Sequence, residues 1–112
     1  MRRGEIRYAD TGGPSGRRPV LIVTATDMIP VLGNVTCAPV TTTLRGITTR
    51  VPLGRREGLR EKSEAACESL ITISKSEVDP AALGRLEPSR FGDLDRALAR
   101  TLDIQRGHLH GR

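Results

Sequence analysis

The apolar positions of this 112-residue chain fall into short runs separated by turn residues. Residues 5–10, EIRYAD, alternate, with Ile6 and Tyr8 on one face and Arg7 and Ala9 on the other, which predicts a half-buried strand. Residues 19–24, PVLIVT, are almost continuously apolar and rich in β-branched side chains, the pattern of a strand buried on both faces. VTCAPV (35–40) predicts a third strand, and TTRVPL (48–53) alternates again. Ser63 to Ile73 mixes periods, with Leu70, Ile71 and Ile73 favouring a strand at its end.

The segments between these runs read as connections. TGGPSGRR (11–18) is glycine-rich and basic, a mobile loop. TDMIPVLGN (26–34) has room for one helical turn ended by Pro30, LRGI (44–47) is a turn, and GRREGLREK (54–62) is a charged loop. DPAALGRL (79–86) predicts a short helix stopped by Gly84. The clearest helix is EPSRFGDLDRALARTLDI (87–104). Pro88 suits its first position, and Phe91, Leu94, Leu98 and Leu102 recur at steps of three or four and line one face. Residues 105–112 predict a polar, disordered tail. Several short strands and one C-terminal helix predict a mainly β domain over residues 1–104, a small twisted or barrel-like sheet with the helix packed against it.

Composition narrows the function classes. With one Tyr, one Phe and no Trp, the core must be aliphatic, and only Tyr8 and Phe91 are available to stack on bases. Phe91 lies on the apolar face of the helix, which leaves Tyr8. The formal charge is +5, and only Lys62 and Lys75 among the basic residues are lysine. Arginine binds phosphate through two parallel hydrogen bonds and stacks on flat bases, so a polyanion partner is one reading, and a solvated arginine-rich surface is the other. Cys37 and Cys67 lack metal-type spacing and sit among apolar residues, as expected of free buried thiols in a reducing compartment. No run reaches transmembrane length and the first residues lack a signal peptide's apolar segment, so a soluble, cytoplasmic protein is expected.

The chemistry-bearing residues are few. There is no Gly-Lys-Ser/Thr phosphate loop and no metal cluster, and no cofactor is expected. His108 and His110 lie in the tail, where nothing fixes their position for acid–base work. What stands out is the end of the third strand, where Thr41, Thr42 and Thr43 precede Arg45. Threonines finish an edge strand well; they also place hydroxyl donors beside a positive charge, as a phosphate site requires.

Taken in order, RRGEIRYAD (2–10), the glycine loop, GRRPVLIVT (16–24), VTCAPVTTTLRGITTRVPL (35–53), SEAACESLITI (63–73) and LDRALARTLDI (94–104) resemble the MazF/PemK (Kid) family of toxin endoribonucleases. The resemblance implies an SH3-like barrel of mostly antiparallel strands with a C-terminal helix, assembled as a homodimer. It implies metal-independent cutting of single-stranded RNA and neutralisation by a cognate antitoxin. It assigns the catalytic arginine to Arg18, directly before Pro19, and the catalytic hydroxyl to Thr41, two positions after Pro39. The RNA-binding candidates are Gly13, Ser15 and Arg17 in the loop, Thr42, Thr43 and Arg45 after the strand, and Ser63 and Glu68 farther on. Arg7, Thr11 and Ser69 stand where relatives commonly carry tryptophan, an apolar residue, and glutamine or asparagine. Attack by a 2′-hydroxyl on its neighbouring phosphorus would leave a 2′,3′-cyclic phosphate and a 5′-hydroxyl. A guanidinium and a hydroxyl would stabilise the charge that builds on the phosphate oxygens. Arginine as a residue type is protonated far above neutral pH, so charge stabilisation comes before proton transfer among its roles. A gyrase-poisoning toxin of the CcdB type shares the architecture and is an alternative, as is a passive or catalytically weak RNA-binding barrel.

Overall fold

A computed structural model describes residues 1–14 and 16–105. Among them are seven strands, β1 (Glu5–Asp10), β2 (Arg17–Ile22), β3 (Asn34–Thr41), β4 (Arg50–Leu53), β5 (Ser63–Ala66), β6 (Ile71–Ser74) and β7 (Val78–Arg85), followed by the helix α1 (Phe91–Leu102). Every pairing is antiparallel. The order is β4-β5-β3-β2-β1-β7, with β6 also on β3. The sheet is therefore open: β4 and β7 end the path and do not pair with each other to close a barrel.

Each strand forms where the pattern requires it. In β2, Val20, Leu21 and Ile22 are all fully buried because the strand has a core on both sides. Leu21 joins Ile6, Ala38, Val40 and Val51 under Leu94 and Ala97 of α1. Val20 and Ile22 join Ala9, Val35, Cys37 and Val78 on the other face. The mixed period of residues 63–73 is one run along β3 broken by a 3-10 turn at Cys67–Ser69. β5 pairs with the end of β3 (Val40 with Ala65) and β6 with its beginning (Val35 with Ile73). Both cysteines are free and buried, and burial pushes their thiols up, Cys37 to about 12 and Cys67 to about 11.

Three expectations need correction. Residues 79–86 form no helix. They belong to β7, because the outer edge of β1 needs a partner and takes Ala82 opposite Arg7 and Gly84 opposite Ile6. Gly84 also packs directly on the backbone of the 3-10 turn at Arg55–Glu57, where a Cβ would overlap the carbonyl oxygen of Glu57. Arg7, on the strand face opposite Ile6 and Tyr8 that a half-buried strand would leave open, does not face solvent. It is 7% exposed and donates to Glu5 Oε1 (3.0 Å) and to the Asp79 carbonyl (2.8 Å), tying β1 to β7. Leu102, predicted on the buried helix face, is exposed; Leu94 and Ala97 fill the contact, with Phe91 and Leu98 at its margin. Apart from Gln105, the predicted tail lies outside the described residues, as do His108 and His110.

Candidate active site

The register between β2 and β3 builds the site. Val20 faces Pro39 in the antiparallel ladder, so two residues further out Arg18 comes opposite Thr41. The pairing is physical: Arg18 Nη2 donates to the carbonyl of Val40 at 2.8 Å. Its Nε is buried and has no partner in the protein, an uncommon state for a charged donor. Thr41 Oγ1 accepts the amide of Thr43 at 3.0 Å, so the hydroxyl is oriented while its own proton is left to give. Both side chains line a groove of about 680 Å³. Tyr8, Leu59, Arg60, Ser63 and Leu83 contribute to its walls. On the far side of the same pair lies a smaller depression of about 310 Å³, lined by Thr43, Arg45, Arg50 and Ser69.

A buried charge network holds the segment after β3 in place. Glu64 accepts the backbone amides of Arg45 (2.9 Å) and Gly46 (3.1 Å) and the Arg50 guanidinium (3.0 Å). Arg50 also donates to the Thr43 carbonyl (3.1 Å) and, through Nε, to Glu68 (2.6 Å), which takes the Thr49 hydroxyl as well (2.8 Å). Burial opposes ionisation of Glu64, but the two amides and Arg50 outweigh it and hold the carboxyl below its ordinary range. For Glu68 too, burial raises and hydrogen bonds, including those from Thr49 and Arg50, lower, with a net downward shift. Thr41 thus ends a strand whose continuation, with Thr42, Thr43 and Arg45, is pinned by Glu64 and Arg50.

A family model for the PemK-like, MazF-like toxins of type II toxin–antitoxin systems matches residues 2–102. The chain belongs to this family. It is similar to endoribonuclease MazF3 of Mycobacterium tuberculosis, at 38% identity over 87 residues, which cover 78% of this chain and 84% of that protein. Among solved structures it is similar to the Mycobacterium tuberculosis toxin MazF-mt6, with a TM-score of 0.82 and 35% identity, covering 90% of this chain and 98% of that one. It is also similar to an endoribonuclease in complex with its cognate antitoxin from a mycobacterial species. There the TM-score is 0.82 at 28% identity, covering 94% of this chain and 97% of that one.

In this PemK/MazF-like toxin the candidate residues separate. Arg18, Thr41, Thr42 and Ser63 line the groove, and Thr43 and Arg45 line the smaller depression with Arg18 and Thr41. Ser63 is buried and spends its proton on the Glu61 carbonyl at 2.9 Å, so it enters the wall as an acceptor. Arg17, next along β2, pairs with Asp79 at 2.9 Å and lines neither space. Gly13 is exposed in the β1–β2 loop and lines neither, and Ser15 lies outside the described residues. Glu68 is occupied by Arg50 and Thr49. Absent from the candidate set were the walls, Tyr8, Leu59, Arg60 and Leu83, and the organiser Arg50. Tyr8 carried a signal, the one tyrosine in a chain poor in aromatics; Arg50 carried none, because its partners are 14 and 18 residues away. Among the described residues no helix is long and apolar enough to cross a membrane.

Proposed function

We propose that this chain is the endoribonuclease toxin of a toxin–antitoxin pair, acting on single-stranded RNA in the cytoplasm as a homodimer that a cognate antitoxin neutralises. The observation that carries the reading is the convergence of Arg18 and Thr41 on one groove, a guanidinium beside an oriented hydroxyl. The endoribonuclease relatives and the antitoxin-bound neighbour support it.

The chemistry needs only the chain's own groups and the substrate. The 2′-hydroxyl oxygen forms a bond to the adjacent phosphorus as the bond to the 5′-oxygen breaks. The proton lost from the 2′-hydroxyl is balanced by one gained at the leaving 5′-oxygen, which gives the cyclic phosphate and a free hydroxyl. The Arg18 guanidinium and the Thr41 hydroxyl donate to the non-bridging oxygens, where negative charge grows in the transition state. Tyr8, 42% exposed on the groove wall, offers a ring face on which a flanking base can stack.

The test uses a long RNA in the presence of a chelator. Wild type is expected to cut it, and a single 2′-deoxy substitution at a mapped cleavage position is expected to abolish cutting there alone. Thr41→Ser should retain activity, whereas Thr41→Ala should lose about 10²-fold, the order expected for one transition-state donor. Intact RNA with every protein would instead leave a binding module, and cutting that survives the 2′-deoxy substitution would rule out the proposed nucleophile.

A further inference from the structure

We propose that the RNA strand flanking the cleaved linkage continues out of the groove into a second, basic depression beside it, and that this depression sets affinity for longer substrates. The inference rests on the endoribonuclease reading and extends it to nucleotides remote from the reaction.

The depression has a volume of about 600 Å³. Its floor is apolar, formed by Leu44, Pro52 and Leu53, and Arg55, Arg56, Arg60 and Lys62 contribute its positive charge. Arg60 and Ser63 line it and the groove alike, so the two spaces are contiguous, and a strand leaving Arg18 and Thr41 past that shared wall enters it.

This surface gathers four cations that make no ion pair among the described residues. Arg3, Arg7, Arg17, Arg50, Arg90 and Arg96 each hold a carboxylate. Among the described residues Arg55, Arg56, Arg60 and Lys62 hold none. The two carboxylates in the lining are already used. Glu57 is 3% exposed and accepts the Gly54 amide at 2.6 Å with Arg90 at 3.8 Å, and Glu64 is the buried anchor described above. What faces solvent is positive charge over an apolar floor. Guanidinium groups grip phosphates in pairs of hydrogen bonds and lie flat on bases, so a phosphate chain with planar bases fits. Continuity with the groove favours RNA over an acidic peptide as the occupant.

The experiment measures binding of mixed-sequence single-stranded RNAs of about six and about fourteen nucleotides, short and long on the scale of single-strand sites. Both carry 2′-O-methyl groups at every position, so that no 2′-hydroxyl is available and no cutting intervenes. Wild type is compared with the exposed double variant Arg55→Ala/Arg56→Ala, and a thermal melt verifies that the variant is folded. Wild type should bind the longer RNA more tightly. The variant should lose that gain and bind the short RNA as wild type does. Loss of two phosphate contacts should lower the slope of log affinity against log salt by about 1.4, so the variant's defect shrinks about sevenfold between 50 and 200 mM salt. Equal binding of the longer RNA by both proteins, or an equal loss on both lengths, overturns the proposal. A variant that binds both RNAs normally but escapes inhibition by its antitoxin assigns the depression to an acidic peptide instead. Cleavage of long RNA by wild type, followed in parallel, reports separately on the endoribonuclease reading, because binding to uncleavable RNA does not depend on it.

Discussion

Replacing Arg18 with alanine is expected to lower the single-turnover cleavage rate by at least about 10²–10³-fold, the loss typical when a transition-state donor is removed, while the melting temperature changes little. The two halves of this expectation have different origins. In the fold, Arg18 makes one hydrogen bond, to the carbonyl of Val40, and keeps a buried Nε without a partner. Truncation therefore forfeits one bond, worth about 1 kcal/mol, and relieves an unsatisfied buried donor, so the two effects nearly cancel. In the reaction, the positive charge and planar fork of the guanidinium act where the phosphate oxygens gain charge. Arg18→Lys should recover only part of the rate, because an ammonium supplies charge without the planar fork. Rates from saturating enzyme on a labelled oligonucleotide, paired with thermal melts, separate the two halves.

Glu64→Ala should cost about 2–3 kcal/mol of stability, because it removes one of the two carboxylates that hold the buried Arg50 guanidinium, Glu68 being the one that remains. Glu64 is 5% exposed, and the change strips partners from two backbone amides as well. Activity should fall with it, since Thr43 and Arg45 lose their anchor. Glu64→Gln should be milder, retaining an acceptor oxygen for part of the network. The pH dependence has a fixed sign. The folded-state affinity of Glu64 for its proton is depressed, so its contribution is fully present above the unfolded value, about 4.3, and disappears as pH falls through the lower folded value. The stability gap between wild type and Glu64→Ala, measured by chemical denaturation, should therefore be constant from pH 7 to about 5 and close on further acidification.

Much of this organisation was legible in the sequence because it depends on local chemistry. The apolar run at Val20–Ile22 implied cores on both sides, whereas Arg18 and Thr41 were singled out by the family resemblance of Arg18–Pro19 and Pro39–Val40–Thr41, and both line the groove. What was hidden depends on long-range pairing. Ala81, Ala82 and Leu83 have helical propensity, but the free edge of β1 overrides it and makes them strand. Arg7 read as an outward position because alternation cannot show that β7 will cover that face with the Asp79 carbonyl. Arg17 and Arg18 are neighbours with the same side chain, yet one is spent on Asp79 and the other lines the groove; only register distinguishes them. Arg50 and Glu64, 14 residues apart, carry no local signal of their pairing and prove to be buried partners.

The central claim is that Arg18 and Thr41 act together on one phosphate, and a double-mutant cycle tests it most directly. Groups that stabilise the same transition-state charge are not independent, so the loss in the double alanine variant should fall well short of the product of the single losses. Cleavage rates for wild type, Arg18→Ala, Thr41→Ala and the double variant on one oligonucleotide supply the four corners. A double variant about as slow as Arg18→Ala alone is the predicted result. Losses that multiply in full, as for two separate sites, would contradict it.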